Sequence, residues 1–290
     1  MWQYLIMKIV KAAMIGDVVG TYGLKTLEAN LPTLIKEQNI DFVTVNGENA
    51  ADGFGMTESE YRRIIAAGAD VVTSGNHIWE KRDFWTILET EKNMLRPANY
   101  PSNPSNLFIS GTGFACIKKK GVEWIVINLQ GRELMNAIDC PFQCLDKLIE
   151  VYAGKAAENH PLMSGNDSKF PLGYPIILVD FHAESSREKE ALAHYADGRC
   201  SLIAGTHTHV QTADEKILPK GSAYITDLGM TGNIDSVIGM NPAICLERVK
   251  KQVLYHMETA VSEKPGKIQG VIVEINAQTA EAISIKRING

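Results

Sequence analysis

Asp41-Phe42-Val43-Thr44-Val45-Asn46-Gly47-Glu48-Asn49 is the stretch from which the architecture can be read. Its first half is too short for a helix and too rich in β-branched and aromatic residues for a loop, so it predicts a buried strand over Asp41–Val45. Its second half is polar and contains a glycine. The same sequence of events recurs along the chain. Ile9–Ile15 runs into Gly16-Asp17, Asp70–Thr73 into Gly75-Asn76-His77, Ile176–Val179 into Asp180-Phe181-His182, and Ser201–Ala204 into Gly205-Thr206-His207-Thr208-His209. Helical patterns separate these strands, over Lys25–Glu37, Glu58–Ala67, Lys81–Glu89, Phe142–Tyr152, Ser186–Tyr195 and Pro242–Gln252. Strands alternating with helices imply parallel pairing with right-handed crossovers. In such sheets a ligand binds beyond the carboxyl ends of the strands. Five strand ends therefore deliver Asp, Glu, Asn or His to one edge.

The rest of the chain adds antiparallel pieces. Gly113–Lys118 and Glu123–Leu129 flank the turn Lys119-Lys120-Gly121 and predict a hairpin. Ala223–Thr226 is a further short strand, and Gly270–Ile275 with Ala282–Arg287 close the chain as a second hairpin. Together they predict about ten strands and six or seven helices, in two β-rich halves sharing one core with helices outside. No clean linker divides the 290 residues, so a single domain over 1–290 is expected. Residues 1–6 are expected to be a short N-terminal extension of the strand that starts near Met7-Lys8-Ile9-Val10. They are not expected to act as a signal peptide, because Lys8 and Lys11 fall inside the apolar stretch and no convincing cleavage site follows. Residues 154–175, with their prolines and polar groups, read as a surface insert.

Apolar residues make up 45% and charged residues 22%, the balance of a globular chain, and no run is long enough to span a membrane. A net charge of -5 argues against a DNA-coating surface but leaves room for a nucleotide in a local pocket. The five cysteines are scattered and odd in number, which fits a reducing cytoplasm better than a disulfide scaffold. Cys140 and Cys144 lack the second thiol pair that a zinc site needs.

Asp17, Glu48, Asn49, Asn76, His182, His207 and His209 form a mixed nitrogen and oxygen donor set without thiolate, suited to Mn, Fe, Zn or Mg. His207 and His209, two apart in an extended segment, are expected to lean to one side. Glycines ahead of Asp17, Glu48, Asn76 and His207 are expected to let the backbone turn sharply and approach a ligand. Seven donors exceed the needs of one tetrahedral ion and match a pair of ions sharing a bridging carboxylate, the arrangement that clamps both oxygens of an in-line displacement at phosphorus. Each residue also has a plainer reading: Asp17 as a helix cap, Asn46-Gly47 as turn chemistry, His182 as a core histidine. What favours metal is their convergence. His160, His194 and His256 lie away from the strand ends and are left as solvated or structural. Gly16-Asp17-Val18-Val19-Gly20 has Asp where a dinucleotide loop needs glycine, Gly20–Thr26 lacks phosphate-loop spacing, and no serine-hydrolase elbow occurs.

These blocks resemble those of the calcineurin-like metallophosphoesterases, and more closely their bacterial YmdB-like branch. The branch resemblance also rests on Ile127-Asn128-Leu129-Gln130-Gly131-Arg132, on Thr206–Asp214, and on Ile225-Thr226-Asp227-Leu228-Gly229-Met230-Thr231-Gly232. It implies a four-layer α-β-β-α sandwich, an α/β fold, and a phosphodiesterase acting on 2′,3′-cyclic nucleotides. It further implies two metal ions, Fe or Mn with Mg or Zn as alternatives. Asp17, Asn49 and His209 would hold one ion, Asn76, His182 and His207 the other, and Glu48 would bridge. In-line attack by a hydroxide between the metals would then be completed by His77, protonating the departing oxygen as general acid or, in the competing view, orienting Asn76. The substrate would be a nucleotide or an RNA end, with no membrane and no extended DNA as partner and with self-assembly into a homo-oligomer. The wider superfamily has His where Val19 stands, two residues after Asp17. Broader phosphomonoesterase or RNA-end nuclease activity, and a regulatory or scaffolding metal protein with little turnover, are the alternative readings.

Overall fold

Period-two alternation along the strands builds the layers. In the strand Ile9–Ile15, Val10, Ala12 and Met14 join an apolar cluster with Ile125, Val179 and Ile203, whereas Ala13 and Ile15 join Leu24, Leu27, Leu31, Tyr61 and Ile64. One face of the strand therefore meets a second sheet and the other meets helices. A computed structural model describes residues 8–101, 109–157 and 174–290 of the chain. Within them the strands are β1 (Ile9–Ile15), β2 (Asp17–Val18), β3 (Phe42–Asn46), β4 (Val71–Thr73), β5 (Phe114–Lys119), β6 (Val122–Gln130), β7 (Ile176–His182), β8 (Leu202–Thr206), β9 (Lys216–Ile217), β10 (Ala223–Ile225), β11 (Met230–Thr231), β12 (Gln269–Asn276) and β13 (Ala282–Asn289). The helices are α1 (Gly20–Gln38), α2 (Glu58–Ala66), α3 (Trp85–Thr90), α4 (Pro141–Ala157), α5 (Ser186–Ala196) and α6 (Pro242–Lys251).

The first sheet has the order β13-β12-β1-β3-β4 and the second β5-β6-β7-β8-β10-β9, while β2 and β11 pair by themselves. The β1-β3-β4 and β6-β7-β8-β10 pairings are parallel, so these strands carry their carboxyl ends to a common edge. Phe42 of β3 and Trp124 of β6 stack between the sheets, ring centroids 4.7 Å apart. α1 and α2 cover the first sheet, and Leu145 and Ile149 of α4 with Leu192 of α5 pack on the second. The result is the four-layer sandwich. No helix among the described residues is long and apolar enough to cross a membrane.

Several expected boundaries move. β7 continues to His182 and β8 to Thr206, so Asp180 and Thr206 belong to strands rather than to the loops after them. Their hydrogen bonds, given below, supply the polar partners that allow a strand to carry such residues inside. α1 starts at Gly20 and holds Pro32 within it. The helix expected over Lys81–Glu89 is split into a 3₁₀ turn at Arg82–Phe84 and the short α3. α4 runs to Ala157, so the stretch expected to be an insert from residue 154 begins as helix. Residues 158–173 and the extension over residues 1–6 lie outside the described part, as does His160. The Lys120-Gly121 turn has φ of 55° and 71°, the pair of left-handed residues that a two-residue hairpin requires. β2, β9 and β11, two residues each, carry no periodicity that a sequence pattern could register.

Candidate metal centre

Asp180 ties the two sheets together at their shared edge. Its carboxylate, buried on β7, accepts from Asn46 Nδ2 at the end of β3 (3.0 Å) and from Thr206 Oγ1 on β8 (2.7 Å). The Thr73 hydroxyl at the end of β4 also donates to it. Four strands from two sheets thus converge on one carboxylate. Thr206 spends its proton on Asp180, so toward His182 Nδ1, 2.9 Å away, it acts as acceptor. His182 must therefore carry its hydrogen on Nδ1 and turn Nε2 toward the cleft.

The other two imidazoles are held by the same logic. His209 Nδ1 lies 2.8 Å from the Ile238 carbonyl, which can only accept, and this directs the Nε2 lone pair inward. His207 Nε2 faces Glu184 Oε2 at 3.2 Å, which leaves Nδ1 as the inward nitrogen. His207 Nδ1 lies 3.0 Å from His182 Nε2, and His182 Nε2 lies 2.9 Å from Glu48 Oε1. Glu48, His182 and His207 each offer an atom within 4.8 Å of the others, and they are the sole group of three or more His, Cys, Asp or Glu so arranged among the described residues. Three acceptors aimed at one point call for a cation.

A second cluster adjoins the first. Asn49 Nδ2 lies 3.0 Å from His209 Nε2, 3.4 Å from Asp17 Oδ1 and 3.3 Å from Glu48 Oε1. His209 Nε2 is 3.7 Å from Asp17 Oδ1. An amide nitrogen ringed by three acceptors occupies the environment a cation would take, and half a turn of the amide would present Oδ1 instead. Asn76 Oδ1 is buried without a hydrogen-bond partner, an orphaned acceptor of the kind a metal satisfies. Glu48 Oε1 faces both clusters. The residues present fit a pair of cations.

Electrostatics agree with that fit. Burial weighs against the Glu48 charge, but His182 outweighs it and holds the carboxyl down at about 2. Burial likewise opposes a charged His182, but the carboxylates of Glu48, Asp17 and Asp180 lift the ring to about 9. His207 is pushed down to about 3 by burial and then by His182. Asp17 is raised to about 6, chiefly by burial, with His209 and His182 pulling the other way. In the metal-free protein the cluster accommodates one extra proton, on His182, where a cation would otherwise sit.

His77 follows Asn76 in the 3₁₀ turn Asn76–Trp79 and donates its backbone N–H to Glu48 Oε2 (3.2 Å). Its ring meets the edge of Phe54 at 5.1 Å, and Nδ1 is buried, so Nε2 is the nitrogen that can face a substrate. His194 and His256 are exposed, in keeping with the reading of both as solvated.

Two local expectations are corrected. His207 and His209 do not lie in an extended segment: β8 ends at Thr206, and both take positive φ, 101° and 63°. That strained backbone brings both inward nitrogens to the cleft. Nor do the glycines before the donors serve as sharp turns, since none of Gly16, Gly47, Gly75 and Gly205 has positive φ. They supply space. A Cβ on Gly75 would stand 2.2 Å from Glu48 Oε2 and from His182 Cδ2, and one on Gly16 would stand 2.2 Å from the Gly229 carbonyl oxygen. Val19, in the place of the superfamily histidine, is buried against Gly239, next to the Ile238 carbonyl that holds His209.

The supports Asp180, Thr206, Glu184 and Ile238 were not singled out from sequence. Asp180 and Thr206 stand in the quoted motifs, and the alternation Asp180-x-His182 was the signal that could have placed both side chains on one strand face.

A buried double-sheet edge carrying carboxylate, amide and imidazole donors defines a metallophosphoesterase. Solved structures agree on the fold. A phosphatase from Mycoplasma pneumoniae superposes with TM-score 0.84 at 32% identity, covering 98% of this chain and 94% of its own. A 5′-nucleotidase precursor from Thermus thermophilus shares the fold alone, with TM-score 0.58 at 11% identity over 97% of this chain and 54% of its own. The YmdB-like protein family model matches residues 13–288, and the chain belongs to that family. A 2′,3′-cyclic-nucleotide 2′-phosphodiesterase of Bacillus subtilis is 41% identical over 274 residues, 94% of either chain. The protein is a phosphoester hydrolase.

Proposed function

We propose that this hydrolase acts on 2′,3′-cyclic nucleotides, free or at an RNA end, and that seven side chains hold two metal ions for it. Asp17, Asn49 and His209 would hold one ion, Asn76, His182 and His207 the other, with Glu48 between them. The observation that carries the reading is the convergence of Glu48 Oε1, His182 Nε2 and His207 Nδ1 within 4.8 Å, their remaining polar atoms already spent on other partners. The named substrate of the Bacillus subtilis relative supports the choice of ester. Fe or Mn suits the nitrogen and oxygen donors best. The unbridged thiols of Cys140 and Cys144 accord with a cytoplasmic enzyme, and a homo-oligomer is proposed on the family resemblance.

When bound, the ions supply Lewis acidity, offsetting charge on the phosphoryl oxygens and acidifying a water molecule. The protein contributes orientation: Thr206, Ile238 and Glu184 fix each imidazole before any ligand arrives, so no reorganisation is needed at the transition state. Hydrolysis breaks the bond from phosphorus to the 2′ oxygen, which leaves as a strongly basic alkoxide because its parent hydroxyl is only weakly acidic. His77, with Nδ1 buried and its backbone anchored to Glu48, would deliver a proton from Nε2 to that oxygen.

The test is an assay of protein reconstituted with Mn²⁺ or Fe²⁺ against 2′,3′- and 3′,5′-cyclic nucleotides, p-nitrophenyl esters and RNA bearing cyclic ends. Metal-dependent turnover, fastest on 2′,3′-cyclic esters, is expected. His77→Ala should lower kcat by roughly 10²–10⁴-fold with bound metal unchanged. Absence of metal-dependent hydrolysis of every ester would overturn the proposal.

A further inference from the structure

An aromatic cavity beside the candidate centre takes no part in the chemistry above. Trp79, Trp85, Tyr100, Ile109 and Ser110 enclose about 320 Å³, the lower end of the range for small-ligand sites. Trp79 meets Tyr100 edge to face at 5.2 Å and Trp85 at 6.4 Å. Trp85 is 41% exposed, a large aromatic surface that the fold leaves uncovered.

The backbone and hydrogen bonds of two lining residues lead from the cavity to the donors. Trp79 closes the 3₁₀ turn that begins at Asn76, and in such a turn residues three apart share a face, about 6 Å apart along the axis. On the opposite side the Tyr100 hydroxyl donates to Gln130 Oε1 (3.1 Å), and Gln130 is the register partner of His182 across β6 and β7. Burial raises the Tyr100 phenol, and the charge of Glu48 is close enough to add to the rise. The Nε2 of the same Gln130 amide is buried without a hydrogen-bond partner. A phosphoester seated at the donors thus has an aromatic box within reach of one substituent, and the only broad flat substituent of a nucleotide is its base.

We propose that this cavity is the base subsite, stacking the heterocycle of the substrate on Trp85 and Trp79 while the phosphate lies at the metal centre. The inference rests on the nucleotide reading given above. Every base has a π-face, and the lining includes no charged side chain, so purines and pyrimidines are both accepted.

Trp85→Ala tests this without touching the core, with Trp85→Phe as the conservative variant. The readout is kcat/KM for adenosine 2′,3′-cyclic phosphate divided by that for methyl riboside 2′,3′-cyclic phosphate, in which methoxy replaces the base. Trp85→Ala should lower this ratio about tenfold through KM, and Trp85→Phe should restore most of it. A ratio unchanged from wild type overturns the subsite. Should the wild-type protein hydrolyse neither ester, the nucleotide reading fails by itself, and tryptophan fluorescence decides the cavity. Saturable quenching by adenosine 3′-monophosphate but not by ribose 3-phosphate supports it, and equal or absent quenching overturns it.

Discussion

Thr206 shows how much a single hydroxyl settles. It donates to Asp180 and accepts from His182, and so chooses the tautomer that points Nε2 at the cleft. Thr206→Val keeps the shape and removes that choice. Metal affinity should fall 10–100-fold with little change in fold, read by titration of chelated protein with Mn²⁺. An unaltered affinity would show that the tautomer is set elsewhere. His182 also carries a pH signature. Its value rises from 6.5 unfolded to about 9 folded, so in metal-free protein its contribution to stability is complete below pH 6.5 and is lost as pH climbs through 9. Denaturant unfolding of chelated protein should weaken across that window, and His182→Gln should flatten the slope. A bound cation must displace the same proton, so metal affinity should strengthen with pH over the same range. Calorimetry in buffers of different ionisation enthalpy measures the proton released.

Among the elements, the loop after β8 depends on an ion pair far from it in sequence. Lys189 of α5 meets Asp227 at 2.7 Å, both 1% exposed. Asp227 Oδ2 also accepts from the Thr208 backbone (3.2 Å) and hydroxyl (2.8 Å), and Thr208 sits between the two positive-φ histidines. Gly205 makes room for this arrangement, since a Cβ there would press on the Lys189 stem and on the Thr226 carbonyl. The pair thereby clamps the strained segment that presents His207 and His209. Asp227→Asn would leave the Lys189 ammonium buried and unpaired, at a cost of about 3–5 kcal/mol. Urea unfolding of chelated protein measures this, and a loss under about 1 kcal/mol would dismiss the clamp. Nothing local to Thr208 announces a partner nineteen residues away.

For the molecule as a whole, the site exists because two sheets are locked in register by their packing. Phe42 and Trp124 stack nearly parallel, 9° between their planes, and Trp124 Nε1 donates to the Lys119 carbonyl. Trp124→Ala should cost about 3–5 kcal/mol by opening a cavity between the sheets. Denaturation midpoints report the loss, while activity per folded molecule, remote from the change, should hold. Loss of metal binding without loss of stability would contradict this division between core and edge.

The amino-acid sequence alone determined which residues the edge would hold, because short β-branched runs ending in Asp, Glu, Asn or His name both the strand and its terminus. It also showed strand–helix alternation and two hairpins, because strands and helices repeat with different periods, while the packing of two sheets face to face was implied by the family resemblance. Tertiary structure decided what local pattern cannot encode: the tautomer of each histidine, the reach of β7 and β8 into the motif residues, the left-handed backbone of His207 and His209, and the use of Gly75 as empty space. Each of these depends on an atom that arrives from a distant part of the chain, and such contacts come into being only when the sheets close on one another.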